Sequence, residues 1–222
     1  MVPVRIGLTI VMETPLSVGA GGTAGVLADR IALRDAFGRL ILPGSHVKGR
    51  LRHTCEELAR ALGYEVCNAP NPRTTCPHDS SVQKPPCIIC QIFGSPAYPS
   101  SLRFNDLVLV DPSVKLSPGE GRIDAGEATR PGIGVNRRRG VVEEKLLFFI
   151  ETSPPGARFR SDEAIVGELP DEKHLQLLLA GLFFIRSWGG CRSRGLGWAR
   201  IEITKNGEPV TLKQLKPELL AM

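Results

Sequence analysis

The sequence predicts an α+β domain, an antiparallel sheet with helices on one face. Three observations carry this. Apolar residues alternate near the start, with Val4, Ile6, Leu8, Ile10 and Met12 on one side of a strand. Two other segments carry apolar residues at helical spacing: Val47, Leu51, Cys55, Leu58 and Leu62 in one, Leu175, Leu178, Leu179, Leu182, Phe183 and Ile185 in the other. Strand-like and helix-like segments alternate along the chain, which suits one mixed layer structure.

The 222 residues fit one domain, long enough to bury roughly 70% of its unfolded surface without disulfide staples. The net charge of +5 and a sequence pI near 9.0 favour a polyanionic partner only weakly. The start combines no charged leader, apolar run and small-residue cleavage site, and no window reaches membrane-spanning length. A cytoplasmic protein with no membrane partner is expected, and there six cysteines suit thiols or metal ligands better than disulfides.

The first strand ends near Glu13. Leu16 to Gly25 follows with four glycines in ten residues, Gly21 and Gly22 among them. Such a loop lets backbone approach a ligand closely. It lacks the strand–GxGxxG–helix context and the Gly-Lys-Ser/Thr of the common nucleotide loops. Val26 to Arg34 reads as extended and ends at a turn over 35–39. Asp29 stands in it against strand propensity. It is either an edge carboxylate paired with Arg30 or Arg34, or a carboxylate held near a bound anion.

Leu40 to Arg52, LILPGSHVKGRLR, reads as a strand end, a Pro43-Gly44 turn and a helix capped by Ser45. Lys48 and Arg52 lie four residues apart on one face, with Arg50 nearby. Free N–H groups at a helix start beside several cations make an anion site, unless the face is simply solvated.

Residues 63–99 form a Cys-rich, Pro-rich insertion between core segments 1–62 and 100–222. Its cysteines read Cys67-x8-Cys76-x-His78-x8-Cys87-x2-Cys90. Cys87 and Cys90 resemble half of a zinc knuckle, and Cys67 and Cys76 complete a tetrahedral set, with His78 as an alternative ligand. The alternative is four unliganded thiols in a flexible loop. Ser101 to Val110 alternates as a strand. Residues 111–145 are expected to form a projecting arm. In its TRPGIGVNRRR segment Arg130, Arg137 and Arg138 accompany Asn136 around two glycines, which suits a phosphate backbone or a solvated tip. Lys145 to Thr152 is a strand, and Asp171 can cap a helix running to about Ser187. Gly189 and Gly190 then precede Arg192, Ser193 and Arg194, a second cationic glycine loop, before a last strand from Trp198 to Thr204.

This order approximates a ferredoxin-like, RRM-like βαββαβ sheet with helices on one face. Such sheets often bind RNA, yet aromatic residues make up only 5% of the chain, so gripping the backbone is favoured over stacking bases.

LPGSHVKGRLR resembles the I-P-G-S-S-x-K-G-x-x-R element of the RAMP superfamily of CRISPR-associated proteins. FGS at 93–95, LRFND at 102–106, the arm around TRPGIGVNR, and GGCRSRGLGWARI fall in family order. The resemblance extends over nearly the whole chain and is nearest to the repeated backbone subunit, Csm-type or Cmr-type, of type III CRISPR effectors in antiviral defence. It implies a single RAMP domain with a zinc-binding insertion and a β-hairpin thumb. Copies would stack in a helical filament along a guide RNA beside other type III effector subunits. An Asp before the PGS element would cut complementary target RNA at regular intervals with Mg2+ or another divalent ion; here that position falls on Asp29. Lys48, Arg50 and Arg52 would hold guide phosphates, and Arg137 matches a family arginine. His46 stands where the family usually has serine. A purely structural RNA-binding subunit is the main rival reading. A guide-processing endoribonuclease, which usually relies on a histidine near the chain start, ranks lower.

Overall fold

The computed structural model describes residues 1–21, 29–69, 71, 74–76, 85–110 and 129–215, apart from the side chain of Lys145. Gly22, His78 and residues 111–128 of the expected arm lie outside the described residues.

Strand β1 (Val2–Met12) lies in the middle of the main sheet. It pairs antiparallel with β7 (Arg158–Leu169) on one edge and β8 (Ala199–Lys205) on the other. The sheet order is β2 (Ile41–Leu42), β4 (Leu107–Leu109), β7, β1, β8, β9 (Glu208–Val210), with β3 (Leu102–Phe104) also on β7. Strict alternation puts Val4, Ile6, Leu8, Ile10 and Met12 inside, while Arg5 points to solvent. A bulge between Ile6 and Leu8 shifts the β7 register, from Ile6 opposite Ile165 to Leu8 opposite Ser161.

Three helices share the core with the inward residues of β1: α1 (Gly44–Ala61), α2 (Ile88–Phe93) and α3 (Glu172–Phe184). Val47, Leu51 and Cys55 of α1, Ile89 and Ile92 of α2, and Leu175, Leu178 and Leu182 of α3 are buried together. Burying each large apolar side chain contributes about 1.5–3 kcal/mol. Asp171 caps α3 as expected, accepting from the Lys173 and His174 N–H groups. His174 then bridges Asp171 Oδ1 at 2.7 Å and Gln91 Oε1 at 2.9 Å, tying α3 to α2. Because α2 is buried, the end of the 63–99 stretch packs into the core.

Three expectations are corrected. Ser45 does not cap α1: the helix begins at Gly44 after Pro43, Ser45 is exposed, and the Gly44 N–H donates to Asp106 Oδ1 at 2.8 Å. A carboxylate from 62 residues away thus does the capping. It can do so because the helix start presses on the β3–β4 turn, where a Cβ on Gly44 would collide with the Phe104 carbonyl. Ser101 to Val110 is not one strand. Asn105 bonds to the Ala164 and Glu163 carbonyls and breaks it, so Leu102 is buried in one phase and Leu107 and Leu109 in the other. The described part of Val26 to Arg34 is bridged at Arg30, Ala32 and Arg34, in keeping with an extended segment. Of the expected strand Lys145 to Thr152, all but Thr152 lies within β6 (Val141–Glu151), which pairs with β5 (Thr129–Asn136) in a separate two-stranded sheet. Its expected place in the main sheet is taken by β7, whose exposed Arg158, Arg160, Asp162 and Glu163 hide its alternation.

Candidate nucleic-acid interface and metal centre

The first turns of α1 meet the second glycine loop. His46 Nε2 accepts from the Gly189 N–H at 2.9 Å, and Arg50 Nε donates to the Ser187 carbonyl at 3.3 Å. The Gly190 N–H donates to the Ser17 carbonyl at 2.7 Å, which brings in the loop after β1. Gly189 has φ +74, and a Cβ there would strike Ser17, so this junction requires glycine. Arg192, Ser193 and Arg194 follow in one exposed 3-10 turn. Arg194 lies over the Phe148 ring of β6, its guanidinium carbon 5.4 Å from the ring centre. His46 is held below its usual pKa by burial and then by the Arg50 and Arg192 charges. Burial and the neighbouring Arg192 also disfavour the charge on Arg50. Cations gathered this way with few anions among them leave a field that favours an anionic occupant.

Asp29 lies one residue further along β6. Its N–H donates to the Phe149 carbonyl at 3.0 Å, and its Oδ2 accepts from the Phe149 N–H at 2.7 Å. The Glu151 N–H donates to the Arg30 carbonyl, and the Glu151 carboxylate takes the Ala32 N–H at 2.7 Å and pairs with Arg34. Asp29 is exposed, and among the described residues its Oδ1 has no hydrogen-bond partner. One oxygen is therefore anchored, and the other is left without a partner among the described residues. Arg34 pairs with Glu151, not Asp29, so that version of the edge-carboxylate reading does not hold. Glu151 had no motif to mark it; its role depends on a contact across 117 residues. Gly21, at the end of the first glycine loop, is exposed with φ +70.

The hairpin of β5 and β6 carries the expected arginines. Arg130 pairs in register with Ile150, across the strand from the Arg30 bridge to the same residue. Arg137 and Arg138 are exposed at the tip. Asn136 shapes that tip: its Oδ1 accepts from the Arg138 and Arg139 N–H groups at 3.0 Å, and its Nδ2 donates to Glu143. Ile133, Val135, Val142 and Leu147 are exposed along the same hairpin.

Lys48 and Arg52 face elsewhere. Lys48 lies over the Phe104 ring, 5.7 Å from its centre, and Phe104 stacks on Phe93 of α2. Arg52 Nε donates to Glu56 at 3.0 Å and Nη1 to the Gly94 carbonyl at 2.9 Å, with Nη2 3.7 Å from Cys90 Sγ. This side of α1 abuts the cysteines. The sulfurs of Cys67, Cys76, Cys87 and Cys90 all lie within 4.8 Å of one another. Cys67 Sγ is 3.5 Å from Cys90 Sγ and 3.7 Å from Cys87 Sγ. A tetrahedral site with zinc–sulfur bonds of about 2.3 Å places neighbouring sulfurs roughly 3.8 Å apart. The donor set therefore fits a metal such as zinc, with both Cys67 and Cys76 in it. Hydrogen bonding from Cys90 pulls the Cys87 thiol down to about 4, while Cys87 pushes the Cys90 thiol up. Among the described residues no other group of three or more Cys, His, Asp or Glu side chains gathers in this way. No helix among them is long and apolar enough to cross a membrane.

The chain is 26% identical over 201 residues to the CRISPR system Cms endoribonuclease Csm3 of Methanocaldococcus jannaschii, covering 87% of this chain and 77% of that protein. The RAMP superfamily profile matches residues 9–200, from within β1 to the start of β8, and so spans α1, the Asp29 loop, the cysteines and the second glycine loop. The chain belongs to the RAMP superfamily.

Proposed function

We propose that this chain is a guide-RNA-binding backbone subunit of a type III CRISPR effector that cleaves complementary target RNA at regular intervals. The observation that carries the proposal is the junction of His46 and Arg50 with the 187–194 loop, beside an Asp29 carboxylate fixed on the neighbouring strand. The likeness to an endoribonuclease of a CRISPR system supports the same reading. The β4–β7–β1–β8 order with α1 and α3 supports reading the core as ferredoxin-like. Arg50, Arg192 and Arg194 would grip sugar-phosphate backbone, with Gly189 and Gly190 holding the loop against His46 and Ser17. The β5–β6 hairpin, the thumb of this reading, would reach across the guide–target duplex with Arg130, Arg137 and Arg138. Base pairing supplies sequence choice, and copies of the chain stacked in a filament with other type III subunits would set the cutting interval.

In the cleavage step a target 2′-oxygen bonds to the adjacent phosphorus, the P–O5′ bond breaks, and a 2′,3′-cyclic phosphate and a 5′-hydroxyl form. Asp29 Oδ1 would orient the 2′-hydroxyl and take its proton, while the leaving 5′-oxygen is protonated from solvent. Anchoring Oδ2 on the Phe149 N–H fixes the carboxylate's direction, which is what a general base needs. Mg2+ or another divalent ion, when bound, would neutralise charge on the phosphate. A single carboxylate suits an ion shared with substrate phosphates better than one caged by protein. Zinc on the four cysteines would be structural.

The Asp29–Phe149 bonds also favour a second reading, in which Asp29 only pins its loop and the subunit binds RNA without cutting. Asp29→Asn separates the two, because an amide oxygen can still accept from the Phe149 N–H. Single-turnover cleavage by the assembled complex should be lost in this variant with target affinity retained; full cleavage would leave the structural reading standing.

A further inference from the structure

Arg52 sits in the basic element that the family resemblance assigns to guide phosphates, yet its guanidinium is committed elsewhere. Three of its donors point in three directions, to Glu56 Oε1, the Gly94 carbonyl and Cys90 Sγ. Gly94 ends α2, the helix that begins after Cys87 and contains Cys90. One helical face therefore runs along the cysteines: Arg52, Glu56 and, a turn later, Arg60, which donates to the Cys67 carbonyl at 3.4 Å. The Arg52 side chain is only 23% exposed and that of Glu56 13%, so the pair is largely out of water.

Four thiolates around one divalent ion carry a net charge of −2, and Cys90 is fully buried at 1% exposure. A buried anionic centre needs a compensating charge or hydrogen-bond donors to its sulfurs. Among the described residues Arg52 is the cation whose donor reaches a sulfur. We propose that Arg52 is a positioning residue of the metal centre: it neutralises the tetrathiolate through Cys90, and Glu56 and Gly94 hold its fork in place. A phosphate could claim Arg52 only by pulling it from these partners. This inference rests on the zinc reading of the cysteines, and it places the guide grip of α1 on its other side.

The test uses the purified full-length protein as wild type, Arg52→Gln and Arg52→Lys. Zinc affinity is measured by competition with a chromogenic chelator, and Co2+ replaces zinc to report the sulfur-to-metal charge-transfer band. Arg52→Gln should weaken zinc binding about 10–100-fold and shift that band. Arg52→Lys, keeping the charge without the fork, should fall between the two. Zinc affinity within twofold of wild type in both variants, or a lowered melting point of the metal-free protein with affinity unchanged, overturns the proposal and leaves the zinc reading intact. Wild-type protein binding less than one equivalent of zinc overturns both.

Discussion

The cysteine centre and the candidate RNA face are built in opposite ways. In the first, four side chains converge on one point, brought together by the buried α2 and the side of α1 that carries Arg52. In the second, arginines and one carboxylate are spread over α1, the 187–194 loop and the loop that runs beside β6, held together by bonds such as Gly189 to His46 and Gly190 to Ser17. Helix α1 serves both, through His46 and Arg50 on one side and Lys48 and Arg52 on the other. A basic helix is thus assigned by what each cation already holds, and not by its charge count. Arg52 is bound to Glu56, Gly94 and the sulfur of Cys90, whereas Arg192 and Arg194 stand exposed.

Disabling the RNA face at its chemical point should give the largest effect. Asp29→Asn is expected to lower single-turnover cleavage by about 10²–10⁴, the usual contribution of a positioned general base, with thermal unfolding unchanged. A lowered melting point with full cleavage would make Asp29 structural. Disabling the cysteine centre should act on order and not on chemistry. A strong chelator is expected to expose the 67–87 segment to limited proteolysis well before the β1–β7–β8 core unfolds, because α2 stays anchored by Ile89, Ile92 and Phe93. A cut pattern identical with and without chelator would count against metal ordering.

Helix α1 joins the two regions, and its seating can be probed separately. Asp106→Ala should lower stability by about 0.5–2 kcal/mol in a denaturant titration, by removing the cap that seats α1 between the two. Ser45→Ala should cost far less, since Ser45 makes no cap bond. The smallest effect concerns His46. Its folded pKa lies below the ordinary value of 6.5, so the unfolded chain binds the proton more readily. The stability His46 contributes is therefore fully present above about 6.5 and is lost as pH falls through the depressed folded pKa. Melting points from pH 7.5 downward should decline more steeply for wild type than for His46→Gln, whose amide oxygen can still accept from the Gly189 N–H.

What the sequence revealed follows the same division. The cysteines were legible because metal ligands recur at short spacing, and β1 and α3 because one face of each is strictly apolar. Asp171 was legible as a cap because it is adjacent to its own helix. Asp106 was not, since it caps a helix 62 residues before it. Strand β7 escaped because its charges sit on the open side of the sheet and its register is broken by a bulge. The members of the candidate RNA face, His46, Arg50 and the GGCRSR loop, stand out in the sequence one by one. Their assembly was not legible, because backbone contacts such as Gly190 to Ser17 leave no pattern in side chains. The partners of Arg52 were not legible either: four-residue spacing puts it on one side of α1 with Lys48, but only the position of α2 brings Gly94 and Cys90 to its guanidinium.

On the proposed reading helix α1 offers its two sides to two different partners. The salt dependence of guide-RNA binding by Arg50→Ala and Arg52→Ala is the most direct test of that division. Removing a side chain that grips one phosphate should flatten the slope of log affinity against log salt by about one. Arg50→Ala should show that flattening and Arg52→Ala should keep the wild-type slope; the reverse pattern would refute the division of α1 between RNA and metal.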